Sequence, residues 1–239
     1  MSMYGPEFAE IYDLIYVGRG KDYQQEAKYM AELIQTRTPE ARSLLDVGCG
    51  TGAHLVHFAE LFDRVAGLEL HETMVAVASA KLPGQVHQGD MKDFDLGVTF
   101  DAITCMFGTL GHAMTEEELA TTLRRFEAHL APGGVVVVDP WWFSETFSDG
   151  HVSGDVCTRG SRTVARVSHT AREGERSRMN VHYVVADTDT GVKHFDETYV
   201  TRLFTREMYE EAFRRAGFST EYIPGVQSGR GVFIAVRDS

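Results

Sequence analysis

The chain has 239 residues, with 43% hydrophobic and 24% charged side chains, so it can bury a sizeable core as one large globular domain or one domain with an insertion. A formal net charge of -12 with no Lys- or Arg-rich block argues against nucleic acid and anionic membranes as partners. Cys49, Cys105 and Cys157 lack C-x-x-C spacing and nothing like a signal peptide or an apolar run of about eighteen residues occurs, so no disulfide framework, metal site, secretion or membrane insertion is expected, and a reducing cytoplasm is the simplest setting.

Phe8, Ile11, Tyr12 and Ile15 recur at helical spacing, predicting a short amphipathic helix closed by the polar turn Gly18–Lys21. A second helix is predicted over Tyr23–Thr36. Short β-type runs then alternate with helical stretches: strands at Ser43–Val47, Arg64–Leu68, Val86–Gln88, Phe100–Cys105 and Gly134–Asp139, helices near His54–Leu61, Glu72–Lys81 and Glu116–Leu130. That alternation predicts an α/β fold, a mainly parallel sheet with helices on both faces. The continuously apolar Val135–Val138 reads as a strand covered on both sides.

The pattern changes after Trp141 and Trp142. Alternating runs at Thr163–Ser168, Met179–Val185 and His194–Leu203 predict an antiparallel β-insertion over residues 155–204. A helix at Thr205–Ala216 and strands at Ser219–Ile223 and Gly231–Val236 return to the main sheet. The core domain is therefore expected to comprise residues 1–154 and 205–239.

The strongest local signal is the apolar strand Leu44–Val47 running into Gly48-Cys49-Gly50-Thr51-Gly52 and then a helix. Glycine there permits positive φ and lets the backbone approach a ligand, which in such a sheet binds at the carboxyl ends of the strands. The third glycine comes one residue too early for the dinucleotide pattern G-x-G-x-x-G. Asp46 places a carboxylate beside the turn, which suits an amino-acid ligand carrying its own ammonium and sulfonium better than a pyrophosphate. Glu69, ending the second strand, is placed to accept from ribose hydroxyls. Asp90 after the third strand suits an adenine amino group or, equally, a turn, and Met91 can pack on the ring.

The segments LLDVGCGTG, GLEL, QGDM and APGGVVVVDPWWF resemble the class I S-adenosylmethionine-dependent methyltransferases, which have a Rossmann-like sheet. More narrowly, YDLIYVGRGKDY, HQGDMKDF, PWWFSETF, RVSHTAREGE and SGRGVF resemble the N-methyltransferases that act on dTDP-linked aminosugars of antibiotic pathways. The similarity covers nearly the whole chain. It implies S-adenosyl-L-methionine as cofactor, a nucleotide-sugar substrate, methylation of a neutral amine, and an insertion used for substrate binding or dimerisation; it admits a homodimer.

The resemblance also implies roles for single residues. Residues 1–38 form a lid, with Tyr12, Arg19 and Tyr23 reaching the cofactor's carboxylate. His112 and Tyr4 contact the acceptor sugar, His112 as hydrogen-bond partner or base unless it is simply a solvated loop histidine. Met106, by its place at the end of the fourth strand, lines the adenine pocket or fills the core. Arg230, between glycines, takes the diphosphate, with Tyr16, Trp142, Ser168 and His169 as further substrate contacts. Of Trp141 and Trp142, one is expected to stack on the ligand and the other to enter the core. Residues 151–204 hold eight Lys and Arg against seven Asp and Glu, a small cationic excess within an acidic chain.

Overall fold

The computed structural model describes residues 4–227 and 229–237; Ser228 of the C-terminal motif lies outside them. A seven-stranded sheet contains β1 (Ser43–Val47), β2 (Arg64–Glu69), β3 (Val86–Gln88), β4 (Phe100–Cys105), β5 (Leu130–Val138), β10 (Phe218–Ile223) and β11 (Val232–Arg237). Their order is β10-β11-β5-β4-β1-β2-β3, and β11 runs antiparallel to both of its neighbours. The order reverses between β1 and β4, which opens a crevice at their carboxyl ends.

The helices are α1 (Pro6–Gly18), α2 (Tyr23–Arg37), α3 (Leu55–Phe58), α4 (Glu72–Lys81), α5 (Glu116–Ala128) and α6 (Arg206–Arg215). Their starts are written locally. Asp22 accepts from the Gln25 amide at the head of α2, Thr115 from Glu118 at α5 and Thr205 from Met208 at α6, each satisfying an orphan N–H. On one sheet face, Leu119, Leu123, Phe126 and Phe213 meet Leu45, Ile103 and Val136; on the other, Ala27, Met30, Ile34 and Phe58 meet Leu44, Ala102 and Val135.

A second, four-stranded antiparallel sheet is formed by β6 (His151–Arg159), β7 (Arg162–Glu173), β8 (Arg176–Asp187) and β9 (Gly191–Arg202). Helix α1 lies against it, with Phe8, Ile11 and Ile15 on Val164, Val181 and Tyr183. The contact is close at the helix end. A Cβ on Gly18 would fall 2.7 Å from both Cβ and Sγ of Cys157.

Three elements differ from the sequence reading. The helix expected over His54–Leu61 is one short turn, Leu55–Phe58, continued by turns. Strand β5 starts at Leu130 because Leu130 pairs with Phe100, and residues 131–134 bulge out before Val135 pairs with Ala102. Strand β6 was not recognised, since its inward side is polar (Ser153, Asp155) while Val152 and Val156 face outward and stay exposed, reversing the pattern that marks a half-buried strand.

Candidate active site

Two cavities open on the carboxyl ends of the parallel strands. The inner one, about 350 Å³, is floored by the glycine turn and lined by Asp46, Glu69, Asp90, Met91, Met106 and Tyr23. Gly48, Gly50 and Gly52 all have positive φ. At Gly48 an added Cβ would fall 2.5 Å from Thr109 Cγ2, whereas at Gly50 it would meet nothing within 4 Å, so the turn presents bare backbone to open space.

Three carboxylates converge here from successive strands. Thr104 Oγ1 donates to Asp46 Oδ1 over 2.8 Å, and burial pushes the Asp46 carboxyl up to about 7 against that bond, with Glu69 adding like-charge repulsion. Glu69 accepts from the Gly50 amide (3.0 Å) and from the amide and Nδ1 of His71 (2.8 and 3.1 Å). Burial alone would raise its pKa, but these hydrogen bonds outweigh it and hold the carboxyl below the usual range. Asp90 Oδ1 accepts from the Lys92 amide, so it forms a turn and also faces the cavity.

The residues present fit a cationic nucleoside ligand. The acids Asp46, Glu69 and Asp90 face one lysine, Lys92, in the lining. Tyr23 lines the same space, and its buried hydroxyl has no partner among the described residues, a polar group that a ligand would satisfy.

The outer cavity is larger, about 680 Å³, and lies between α1, the inward face of the second sheet and the loop after β5. Its charge is opposite. Arg19, Lys21, Arg166 and Arg230 line it against one carboxylate, Glu26. Arg230 is held by Asp139 at the end of β5, with Nη2 3.2 and 3.0 Å from the two carboxylate oxygens and Nε 3.4 Å from Oδ1. Burial raises the pKa of Asp139, and Arg230 opposes the shift. Ser168, Thr170, Ser177 and Thr201 give the sheet side a hydroxyl-rich surface, while Trp141, Trp142 and Phe147 give the other side aromatic faces.

Tyr4, Tyr12, Phe107 and His112 line both cavities and mark where they meet. The Tyr4 hydroxyl lies 3.5 Å from Nε2 of His112, which ends a short 3-10 helix (Thr109–His112) after β4. Burial and then the neighbouring His71 lower the pKa of His112 while Glu69 opposes them, so its ring is neutral near pH 7 and one nitrogen can accept a proton. Tyr4 is fixed by Glu197 of β9, whose carboxylate accepts from the amides of Tyr4 (3.3 Å) and Gly5 (2.9 Å) and from the Tyr199 hydroxyl.

Of the residues picked out from the sequence, Tyr12, Tyr23, Asp46, Gly48, Gly50, Glu69, Asp90, Met91 and Met106 border the inner cavity, and Tyr16, Trp142, Ser168 and Arg230 the outer. Two are placed differently. Arg19 lies in the outer cavity and pairs with Asp155 (2.9 Å), away from the glycine turn. His169 borders neither cavity, because residues alternate along β7 and it points outward beside exposed Val167. Both tryptophans line the outer cavity, and it is Phe143 that enters the core.

Sequence reasoning missed Arg166, Glu197, Asp139, His71 and Asp13. The first two had a signal: each is a charged residue on a buried strand face, Arg166 between Val164 and Ser168, Glu197 between Phe195 and Tyr199. Asp139, like Asp46 and Glu69, lies at a strand's carboxyl end. His71 and Asp13 carried none: His71 reaches Glu69 only through the turn that follows β2, and the partners of Asp13, Thr51 and Lys81, come from other elements.

A methyltransferase-domain family model matches residues 44–134. A dTDP-3-amino-3,4,6-trideoxy-alpha-D-glucopyranose N,N-dimethyltransferase of Streptomyces venezuelae is 54% identical over 98% of this chain and 99% of its own. Among solved structures, DesVI of Streptomyces venezuelae superposes with a TM-score of 0.94 at 54% identity, covering 96% of this chain and 98% of that one. An amino pentose methyltransferase of Micromonospora echinaspora involved in calicheamicin biosynthesis, solved with S-adenosylmethionine bound, gives a TM-score of 0.88 at 46% identity, covering 99% of both chains.

Proposed function

Since the chain belongs to the class I S-adenosylmethionine-dependent methyltransferases, in the branch of the dTDP-aminosugar N,N-dimethyltransferases, we propose that it methylates the amino group of a dTDP-linked deoxy-aminosugar in antibiotic biosynthesis. The observation that carries this reading is the meeting of an acid-lined cavity and a cation-lined cavity at Tyr4 and His112. A cationic cofactor suits the first, an anionic nucleotide sugar the second, and the reacting groups meet at the seam.

When bound, S-adenosylmethionine supplies a methyl group on a good leaving group. The chain's task is to align an amine lone pair with it, and orientation alone is worth about 7–11 kcal/mol. In this reading Glu69 and Asp90 hold the nucleoside, Asp46 and the hydroxyls of Tyr12 and Tyr23 the amino-acid end, and Gly48 and Gly50 admit it to the backbone. Met91 and Met106 pack on the base. Neutral His112 accepts an N–H of the acceptor amine, which keeps the amine in position and its lone pair free, and Tyr4 hydrogen-bonds the sugar beside it. Tyr16, Trp142, Ser168 and Arg230 surround the nucleotide.

A homodimer and a cytoplasmic setting belong to the same reading. Val152, Val156, Val167 and Val184 share the outward face of the second sheet and remain exposed, a surface that a second copy of the chain would cover by sheet-on-sheet packing. Three free, buried cysteines suit a reducing compartment.

The test is turnover of dTDP-linked 3-amino and 4-amino deoxysugars with S-adenosylmethionine, followed by mass spectrometry. Mass gains of one and then two methyl groups on either sugar support the proposal. No gain on any dTDP-aminosugar, with S-adenosylmethionine still bound, would leave a methyltransferase whose acceptor is something else.

A further inference from the structure

The four cations of the outer cavity do not carry equal free charge. Lys21 is 2.6 Å from Glu26, Arg19 is 2.9 Å from Asp155, and Arg230 is held bidentately by Asp139. Arg166 differs from all three. It is only 4% exposed, and its nearest carboxylate oxygen, on Asp155, is 3.9 Å away and already engaged by Arg19. Its guanidinium donates from Nη1 to Ser168 Oγ (2.9 Å) and from Nη2 to Met179 Sδ (3.6 Å), and Nε is buried with no hydrogen-bond partner among the described residues.

A buried guanidinium bonded to a hydroxyl and a thioether, whose one ion pair is a 3.9 Å approach to a carboxylate oxygen shared with Arg19, has lost most of its hydration for less than a full counter-charge. Met179 is a weak acceptor and does not compensate. The side chain borders the cavity beside Ser168, whose hydroxyl it orients, and the free hydroxyl-bearing positions Ser153 and Thr170 flank the same strip of the sheet. The pairing is built for a multivalent oxyanion entering from the cavity. Arginine meets such groups with paired N–H donors.

We propose that Arg166, with Ser168, is the principal anchor for the diphosphate of the nucleotide-linked substrate, and that Arg230 is a positioning residue whose charge Asp139 already neutralises. The assignment rests on the nucleotide-sugar reading above, and the anion is identified by chemistry: two linked phosphate groups. Arg230 then orders Phe107, Trp141 and Trp142, over which its guanidinium sits at 5.7 to 5.9 Å from the ring centroids.

The experiment is calorimetric titration of the full chain and of Arg166→Met with thymidine diphosphate, thymidine, inorganic pyrophosphate and S-adenosylhomocysteine, with thermal melting alongside. Arg166→Met is expected to lose about 10- to 100-fold in affinity for thymidine diphosphate, the range of a charge-assisted pair, and to lose pyrophosphate binding, with thymidine and S-adenosylhomocysteine unaffected. Its ligand-free melting point should not fall, because a cation with only a shared, long ion pair has been replaced by an apolar side chain of similar length and Asp155 keeps Arg19. Unchanged thymidine diphosphate affinity in Arg166→Met would overturn the proposal, and a lowered melting point beside it would make Arg166 a packing residue. Wild type that binds pyrophosphate through Arg166 but no thymidine diphosphate would sink the substrate reading and keep the anion anchor. Wild type that binds neither would overturn both. Should Arg166→Met not fold, Arg166→Lys, which keeps the charge but not the fork, is expected to lose roughly tenfold for the diphosphate ligands alone.

Discussion

The hydroxyl of Tyr4 lies 3.5 Å from Nε2 of His112, so the segment before α1 and the 3-10 turn after β4 share a polar contact at the seam of the two cavities. Burial holds the Tyr4 hydroxyl protonated, and His112 is neutral near pH 7, so one can donate where the other accepts. An amine entering the seam meets both. Replacing His112 by Phe keeps the ring's volume and removes the acceptor; turnover should fall on the order of 10²-fold while S-adenosylhomocysteine affinity is retained. Steady-state kinetics and titration check this, and full turnover in the variant would end the chemical role of His112.

Asp46 makes cofactor binding pH-dependent. Its carboxyl titrates at about 7 in the ligand-free protein because burial penalises the charge, and a ligand ammonium or sulfonium favours the ionised form. Below pH 7, binding must therefore expel a proton. Affinity for S-adenosylmethionine should rise with pH up to about 7 and then level off, and Asp46→Asn should flatten the profile. The stability effect has the opposite sign. A folded pKa above the unfolded value of about 3.9 makes the Asp46 contribution fully present below pH 4 and lost as pH rises through about 7. Wild type should then melt below Asp46→Asn at pH 8 by a margin that shrinks toward pH 4. A pH-independent affinity would show that Asp46 lies outside the binding step.

Asp139 and Arg230 should behave as one unit. Both are buried, and each is the other's compensation. Arg230→Met leaves a buried carboxylate and Asp139→Asn leaves a buried guanidinium; each should cost about 3–5 kcal/mol of stability. The double variant should recover much of that loss. Denaturant melts of the three variants form the double-mutant cycle, and additive losses would disprove the coupling.

The parts legible in the sequence were those that local chemistry specifies. The glycine turn after β1 and the acids at the ends of β1 and β2 follow from strand periodicity and backbone sterics, so Asp46, Gly50 and Glu69 were identifiable with their neighbourhood. Asp90, a turn former by residue type, is also a turn former in the structure. What stayed hidden depends on which strand face meets which cavity. Ser168 and His169 are adjacent in the chain, yet one faces the outer cavity and the other the exterior, and exposed Val167 beside buried Val164 blurs the phase of β7. Arg19 was aimed at the cofactor, whereas Asp155 claims it from a strand whose polar inner face concealed it.

Helix α1 is tied to the glycine turn by one carboxylate. Asp13 on α1 accepts from Thr51 Oγ1 (2.6 Å) and from Lys81 Nζ (2.6 Å), and the same Lys81 ammonium donates to the Thr51 carbonyl (2.8 Å). Helix α1 carries Tyr12, which lines the inner cavity, so this triad ties the position of α1 to the turn that floors the site. Asp13 and Lys81 are about one-third exposed, which limits their ion pair to about 0–1 kcal/mol. Asp13→Ala should accordingly leave the melting point nearly unchanged. If α1 must move away for the ligand to leave, loss of this tie should appear as a faster dissociation of S-adenosylhomocysteine, by about two- to fivefold, the kinetic equivalent of such a pair. The effect should shrink as salt screens the Lys81 contact. Stopped-flow displacement in low and high salt measures it. A dissociation rate indifferent to both the substitution and the salt would mean that α1 is held shut by its packing on the second sheet alone.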